Sequence, residues 1–314
     1  MTLTRRDWLS LTLGAGAALS LDPTALWAQA KSLTRAIPKT GEMLPVIGLG
    51  SSATFSAVAR TEDVTALREV LKALVDSGAS VFDTAPQYGA SEETAARIAN
   101  ELGVANKLFW ATKVNVARGA AGADPAAAKA QIETSFTRIK KAKVDLIQVH
   151  NLGDPATQLP ILYDLKKQGR IRYVGITTTF DQQYEGLISI MRNEPIDFIG
   201  VDYAVDGREV EDTILPLAQE RKIGVLAYAP FGRTRLFRRV GDRPLPDWAA
   251  DFDARTWAQF FLKWVIGHPA ITVVTPATSQ AKNMLDNIGG GIGRLPDQPT
   301  RKRMAAFIDA LPVG

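Results

Sequence analysis

The sequence predicts an α/β protein: a (β/α)8 TIM barrel over residues 31–314, with an N-terminal β-hairpin and an extra C-terminal helix. Three observations support this prediction. Strand-like apolar runs alternate with helix-like segments eight times, most of the connecting segments are short, and one such barrel commonly takes about 250 residues.

The individual elements follow from local patterns. Residues 33–37 and 43–49 flank a Lys-Thr-Gly-Glu turn, which predicts a hairpin that leads into the first barrel strand. The second strand is predicted to begin at Val81. The other six are predicted at 108–113, 144–150, 171–176, 196–203, 224–228 and 271–274. Helices are predicted at 61–76, from Ser91, and at 124–140, 156–167, 182–192, 210–219, 255–266, 280–287 and 300–311.

A doubly wound open sheet is the alternative architecture. Its phosphate-binding turn usually carries three glycines at fixed spacing. Here Gly48-Leu-Gly50 is followed by Ser-Ser-Ala-Thr-Phe, with no third glycine in place. The pattern therefore favours the barrel.

Composition excludes several classes of function. The chain is 46% hydrophobic and 22% charged, as in ordinary globular proteins. Its net charge of +4 comes without a Lys/Arg run interleaved with aromatic residues, so a nucleic-acid partner is not expected. The chain has no cysteine and only two histidines, His150 and His268, which argues against disulfides and against thiolate or multi-histidine metal sites.

Residues 1–30 have the pattern of an export signal. Arg5 and Arg6 precede an apolar stretch at 8–21, and Ala28-Gln-Ala30 is typical of a cleavage site. The segment from Thr4 to Leu9 resembles the bacterial twin-arginine motif, which implies the twin-arginine export machinery as a partner and a periplasmic or otherwise exported protein. No stable membrane insertion is expected after cleavage. An N-terminal anchor or a mobile helix is the alternative interpretation.

Four proton-handling side chains lie at the ends of three successive predicted strands. Asp83 and Tyr88 follow the strand that begins at Val81, Lys113 ends the next strand, and His150 ends the one after it. Because neighbouring parallel strands end on the same rim of the barrel, all four side chains are expected to lie together in one site.

This set of side chains suits proton transfer to a carbonyl oxygen. A lysine held close to Tyr88 stabilises the phenolate, so that the tyrosine can act as a general acid near neutral pH. Asp83 would pair with Lys113 and hold it, and His150 would donate a hydrogen bond to the substrate oxygen or tune the tyrosine. The set lacks a reductant, which a nicotinamide would supply.

The order Asp83-x4-Tyr88, Lys113 and His150 resembles the catalytic tetrad of the aldo-keto reductase family. The resemblance extends from Leu44 to Asn287. It implies an NADP(H)-dependent oxidoreductase that interconverts carbonyl compounds and alcohols, with Tyr88 as general acid/base. NAD(H) is the alternative cofactor.

The resemblance also implies a set of cofactor-binding residues: Gly50, Ser51, Thr177, Thr178, Tyr228, Phe231, Gly232, Thr278, Lys282, Asp286 and Asn287. In this set Tyr228 is the ring expected to stack on the nicotinamide. The chain departs from the family pattern at Gly200, where a glutamine is usual, and at Ala277 and Asn283, where a lysine and an arginine are usual. The basic run at 233–239 is expected to be either a solvated loop or a compensating phosphate clamp.

Two rival functions remain open. The barrel could bind a nucleotide or a partner without catalysis, or it could be a lyase or isomerase that uses Lys113 as a Schiff base. A complete proton relay favours the reductase, because a binding module has no need of one.

Overall fold

The chain enters the fold through a small antiparallel hairpin. The computed structural model describes residues 32–119 and 122–312, and the predicted export signal at 1–30 lies outside these residues. Strands β1 (Thr34–Ala36) and β2 (Met43–Pro45) pair antiparallel. Between them the backbone N–H of Ile37 donates to the carbonyl of Glu42 at 2.8 Å, which closes the turn. The predicted hairpin is confirmed.

A parallel sheet curls into a barrel in the described part of the chain. Its eight strands neighbour one another in sequence order. They are β3 (Leu49–Gly50), β4 (Val81–Asp83), β5 (Phe109–Val114), β6 (Val144–Val149), β7 (Ile171–Thr178), β8 (Phe198–Asp202), β9 (Gly224–Tyr228) and β10 (Val273–Val274). Parallel bridges join Ile47 to Val274 and Gly50 to Ala277, which brings the first strand against the last. The predicted barrel is therefore confirmed.

Helices follow the strands along the chain. They are α1 (Thr54–Ala59), α2 (Thr65–Asp76), α3 (Ser91–Glu101), α4 (Pro125–Ile139), α5 (Pro155–Lys167), α6 (Tyr184–Asn193), α7 (Ile214–Glu220), α8 (Arg235–Val240), α9 (Trp257–Ile266), α10 (Ala281–Gly290) and α11 (Gln298–Asp309). The last of these is the predicted extra helix. The sequence did not predict α1 and α8, because six residues make fewer than two turns and show no helical period.

Helix α2 begins four residues later than the sequence predicts, because local hydrogen bonds hold Thr61 in a turn. The helix was predicted to begin at Thr61, but the Thr61 hydroxyl donates to the carbonyls of Val58 and Asp63 within a turn. Instead the Asp63 carboxylate accepts the backbone N–H of Thr65 at 2.9 Å, and the helix begins there. Its predicted apolar face is fully buried, at Leu67, Val70, Leu71 and Leu74.

A cluster of buried side chains from both the hairpin and the strands forms a hydrophobic core in the barrel. They are Ile37, Leu44, Val81, Phe109, Ala111, Leu146, Tyr173, Phe198, Leu226 and Val273. The interior is thus a packed core, and the polar groups of the strands' carboxyl ends gather on one rim. Among the described residues, no helix is both long and apolar enough to cross a membrane.

Candidate active site

A buried ion pair lies at the centre of the rim. Asp83 is the last residue of β4, and Lys113 lies on the neighbouring β5. Lys113 Nζ donates to Asp83 Oδ2 at 2.7 Å and to the carbonyl oxygen of Thr84 at 2.8 Å. The exposed fractions of the two side chains are only 1% for Lys113 and 5% for Asp83. Solvent therefore does not screen this pair.

The electrostatics keep the lysine charged. Burial alone lowers the pKa of Lys113, but the adjacent Asp83 carboxylate and the Tyr88 phenol outweigh it and raise the pKa above its usual value. Burial raises the pKa of Asp83, against the opposing effect of Lys113. The site thus holds a fixed ammonium group close to a phenol.

Tyr88 and His150 complete the predicted tetrad. Tyr88 follows β4 in a tight turn, where its backbone N–H donates to the carbonyl of Ala85 at 3.0 Å. Lys113 Nζ lies 5.0 Å from the centroid of the Tyr88 ring. The Tyr88 and His150 rings meet edge to face, with their centroids 5.9 Å apart. The structure therefore brings all four predicted side chains together.

His150 is held as a neutral imidazole. It follows β6 directly, and its carbonyl oxygen accepts Asn115 Nδ2 at 2.8 Å, which fixes the strand end. Its Nδ1 lies 3.4 Å from Oε1 of Gln87. Burial, and then the charge of Lys113, lower the pKa of His150 to about 3. At neutral pH the imidazole can form hydrogen bonds without adding a positive charge to the site.

Tyr228 lies closer to the tetrad than the sequence indicated. Its hydroxyl donates to Asp83 Oδ1 at 3.3 Å and accepts Gln148 Nε2 at 3.1 Å. Lys113 Nζ lies 5.4 Å from the centroid of its ring. Gln148 was not among the site residues predicted from the sequence, although it lies near the carboxyl end of β6, two residues before His150.

Four other predicted residues lie at strand ends around this centre. Gly50 pairs with Asp83 in the sheet, and the backbone N–H of Ser51 donates to the Asp83 carbonyl at 2.9 Å. The Thr177 hydroxyl accepts the backbone N–H of Asn151 at 3.1 Å. The hydroxyl of Thr178 donates to Gln183 Oε1 at 2.5 Å. Both threonine hydroxyls are thus already used within the protein.

The loop after β9 contains Phe231 and Gly232. Phe231 packs against Phe237, with ring centroids 5.0 Å apart, and Gly232 has a left-handed φ of 54°. The basic run at 233–239 is partly helical; three of its arginines bond to other parts of the protein, and Arg238 bonds within the run. Their partners are the carboxylates of Asp202 and Asp206, the hydroxyl of Thr234, and the carbonyls of Asp309 and Leu311. This network favours a structural role for the run over a phosphate clamp.

The remaining predicted residues lie on the loop after β10 and on α10. Lys282 is exposed, whereas Thr278 and Asn287 are buried. Asp286 accepts the Thr256 hydroxyl at 2.9 Å and Gln259 Nε2 at 2.8 Å, so its carboxylate supports the start of α9. The bridge between Gly50 and Ala277 places this loop beside the end of β3.

Unpartnered buried oxygens test whether a nicotinamide nucleotide fits the rim. Ser51 Oγ, Asn151 Oδ1 and Asp202 Oδ1 lie at or just beyond the ends of β3, β6 and β8 and have no hydrogen-bond partner among the described residues. Buried polar atoms are nearly always paired, so these atoms fit a ligand that donates hydrogen bonds, as an amide and ribose hydroxyls do. The rim therefore fits such a nucleotide, although the usual glutamine is replaced by Gly200.

The fold is a barrel with a cluster of proton-handling side chains at the carboxyl ends of its strands. The sequence matches the aldo/keto reductase family over residues 46–300. The chain therefore belongs to the aldo/keto reductase family, whose members are NADP(H)-dependent oxidoreductases.

Individual relatives agree with this assignment. Aldo-keto reductase str7 of Strobilurus tenacellus is 25% identical over 264 residues, which are 73% of this chain and 77% of the relative. An aldo-keto reductase from Klebsiella pneumoniae, solved in complex with NADPH, superposes with a TM-score of 0.71 at 22% identity and covers 89% of this chain and 95% of its own. An aldo-keto reductase from Bacillus halodurans superposes with a TM-score of 0.70 at 20% identity, and the match covers 90% of this chain and 97% of its own. These two structures share the fold.

Proposed function

We propose that this enzyme interconverts an aldehyde or ketone and the corresponding alcohol, with Tyr88 as the general acid/base. One observation carries the proposal: the buried Lys113 ammonium lies 2.7 Å from Asp83 and 5.0 Å from the centroid of the Tyr88 ring. A fixed cation at that distance stabilises the phenolate, which makes the phenol a better acid. The substrate is a small carbonyl compound.

In reduction, the Tyr88 hydroxyl donates its proton to the carbonyl oxygen, and Lys113 stabilises the phenolate that remains. Asp83 holds Lys113 in place, and the neutral His150 orients the substrate oxygen. When bound, a nicotinamide supplies the hydride that the carbonyl carbon receives. In oxidation of the alcohol, the Tyr88 phenolate takes the proton back.

The proposed cofactor is NADP(H), with weak discrimination against NAD(H). The family assignment and the NADPH complex of the Klebsiella pneumoniae relative support the class of cofactor. Tyr228 and the loop at Phe231 and Gly232 are proposed at the nicotinamide and pyrophosphate end. Lys282 is the proposed contact of the 2′-phosphate, and it lacks the bidentate geometry of an arginine. A charged contact is worth about 1.5–3 kcal/mol, so we expect a preference of no more than about a hundredfold for NADPH.

A Schiff-base mechanism fits the site less well. The nucleophile of such a mechanism is a neutral amine. Here the neighbouring Asp83 carboxylate and the Tyr88 phenol offset burial and raise the pKa of Lys113. The ammonium is also committed to Asp83 and Thr84. Lys113 therefore serves better as a fixed charge than as a nucleophile.

The test is the Tyr88→Phe variant. We expect it to lower kcat for a reactive aldehyde by at least about 100-fold, because the proton donor is lost, while the Kd for NADPH measured by tryptophan fluorescence changes less than about twofold. Tyr163→Phe is the matched control. Tyr163 lies on α5, and the variant removes a hydroxyl that donates to the Glu194 carboxylate at 3.0 Å. It should leave both quantities unchanged.

Two results would count against the proposal. Near wild-type kcat in Tyr88→Phe would remove the tyrosine from the mechanism. No binding of either nicotinamide cofactor to the wild-type protein would favour a non-catalytic barrel.

We also propose export of the enzyme through the twin-arginine pathway into the periplasm or beyond, with residues 1–30 removed. The support is the sequence from Thr4 to Leu9 and the Ala28-Gln-Ala30 site. Replacing Arg5 and Arg6 together with lysine should trap the protein inside the cell, as followed by fractionation. Unchanged export of this variant would argue against the route, and an intact Met1 on the exported protein would argue against cleavage.

A further inference from the structure

Asp83 has a second anchor besides Lys113. Its Oδ2 accepts Lys113 Nζ at 2.7 Å, and its Oδ1 accepts the Tyr228 hydroxyl at 3.3 Å. The Tyr228 hydroxyl is itself held by Gln148 Nε2, at 3.1 Å. Gln148 is completely buried. Both oxygens of the carboxylate are therefore fixed by the protein, one by a cation and one by a phenol.

Gly200 makes room for this arrangement. Strands β8 and β9 are neighbours, and Gly200 pairs with Leu226. A Cβ atom at position 200 would lie 2.4 Å from Cε2 of Tyr228 and 2.5 Å from its hydroxyl oxygen. Any larger residue would push the tyrosine away from Asp83. The departure at Gly200 and the position of the Tyr228 ring are thus one structural feature.

The charges explain what the second anchor does. Lys113 Nζ lies close to two phenol rings, 5.0 Å from the centroid of Tyr88 and 5.4 Å from that of Tyr228. A hydrogen bond from Tyr228 disperses the negative charge of Asp83 and so weakens its hold on Lys113. More of the ammonium's field is then available to a phenolate at Tyr88.

Tyr228 cannot easily take the place of Tyr88 as the acid. Burial, and then the negative charge of Asp83, raise the pKa of Tyr228 well above its usual value. Its hydroxyl therefore stays protonated and keeps donating to the carboxylate.

We propose that Tyr228 is a positioning residue of the proton relay: its hydroxyl shares the Asp83 carboxylate with Lys113, and Gln148 and Gly200 hold this hydroxyl in place. This inference rests on the proposed role of Tyr88. It assigns to the Tyr228 hydroxyl a function that is separate from any stacking of its ring on a nicotinamide.

The test compares Tyr228→Phe with the wild type. The variant keeps the ring and loses only the hydroxyl. Asp83 should then hold Lys113 more tightly, and the acid should weaken. We expect kcat for reduction of 4-nitrobenzaldehyde by NADPH to fall about three- to tenfold at pH 7, and the high-pH limb of the kcat/KM profile to move up by about 0.5–1 pH unit. Gly200→Ala, which displaces the ring, and Gln148→Leu, which removes its support, should shift the same limb in the same direction.

Tyr173→Phe is the matched control. Tyr173 is a buried tyrosine of the barrel, and its hydroxyl bonds the Glu42 carboxylate at the opposite end of the strands. Its removal should leave the pH profile in place. A Tyr228→Phe profile that coincides with that of the wild type would overturn the inference, whatever happens to kcat. Weaker NADPH binding with an unmoved profile would overturn it as well, and would assign Tyr228 to stacking alone.

A spectroscopic titration separates this inference from the proposed activity. Phenolate absorbance at 295 nm is followed against pH for the wild type and Tyr88→Phe, and again for each in the Tyr228→Phe background. The difference within each pair isolates Tyr88. Its midpoint should be higher without the Tyr228 hydroxyl, even if no substrate is turned over. An unchanged midpoint would contradict the inference, whereas a raised midpoint in an inactive protein would support it and count against the reductase activity.

Discussion

At the scale of single residues, Lys113 has two roles that pull in different directions. Stability favours a tight pair with Asp83, because an unpaired charge of either sign would be costly in a site this deeply buried. The proposed role of Tyr88 as general acid requires part of the same charge to act on that phenol. The Tyr228 hydroxyl also bonds the Asp83 carboxylate, and we propose that this bond reconciles the two demands.

The first residue-scale prediction separates these roles with Lys113→Met. The variant leaves Asp83 buried without its cation, so the free energy of unfolding should fall by about 3–5 kcal/mol, as measured by urea denaturation. Burial already raises the pKa of Asp83, and without Lys113 it should rise further. The folded variant would then bind a proton that the unfolded chain releases, and the loss of stability should grow from pH 5 to pH 8.

The control for Lys113→Met is the double variant that also carries Asp83→Leu. Removing both charges should restore part of the lost stability but no carbonyl reduction. A loss below about 1 kcal/mol in the single variant would show that solvent reaches the pair and compensates the charge.

At the scale of elements, the sequence predicts the bounds of helices and strands that depend on local sequence patterns. The helix predicted at 124–140 is observed at Pro125–Ile139, because Asp124 caps its first turn and proline occupies its first position. The predicted strand ends at Lys113 and His150 are correct to within one residue, which is sufficient to place the tetrad on one rim.

What depends on contacts between elements could not be predicted from the sequence. The turn of Tyr228 towards Asp83 requires the open space above Gly200 on a neighbouring strand, and no local pattern contains that information. Likewise, the pairing of the 233–239 arginines with Asp202 and Asp206 depends on where β8 ends relative to the loop after β9.

Backbone strain is concentrated in two elements of the rim. Six of the ten non-glycine residues with positive φ in the described part of the chain lie in the loops after β6 and β9: Asn151, Leu152, Asp154, Ala229, Arg233 and Thr234. Such conformations persist where the surrounding structure imposes them, and they cluster at functional sites. These two loops flank His150 and the proposed pyrophosphate contacts.

An element-scale prediction concerns the end of α4, away from the rim. Lys140 follows the helix with φ 56° and ψ 40°, a left-handed conformation that glycine adopts without strain. Lys140→Gly should therefore raise the free energy of unfolding by about 0.5–1 kcal/mol in urea denaturation. Lys143→Gly is the control, since its backbone is not left-handed and it should give no gain. Equal effects of the two variants would contradict the argument.

At the scale of the whole molecule, the site exists only in the closed barrel. Asp83 and Tyr228 lie 145 residues apart in sequence, yet their side chains form a hydrogen bond at the rim of the barrel. Lys113 and His150 come from two further strands. Local unfolding of any of these strands would separate the groups, so activity reports on the integrity of the whole barrel.

The last prediction, also at this scale, concerns stability in mild acid. The chain contains only two histidines, and both are held neutral in the fold. Burial, and then the charge of Lys113, lower the pKa of His150 to about 3, while burial, and then the charge of Arg301, lower that of His268 to about 4. In the unfolded chain both groups titrate near their ordinary value of about 6.5.

Between about pH 4 and 6.5 these two histidines bind more protons in the unfolded chain than in the folded chain, so their contribution to stability falls as the pH falls through this window. For each histidine the free energy of unfolding can change by at most about 1.4 kcal/mol per pH unit, and partial exposure of both side chains reduces this slope. We expect urea denaturation at pH 5 to give a free energy of unfolding roughly 1–3 kcal/mol lower than at pH 7. His268→Asn, which can still accept the backbone N–H that Ala270 donates to His268 Nδ1, should remove about half of this slope. A slope that is unchanged in His268→Asn would show that the proton uptake occurs elsewhere in the chain.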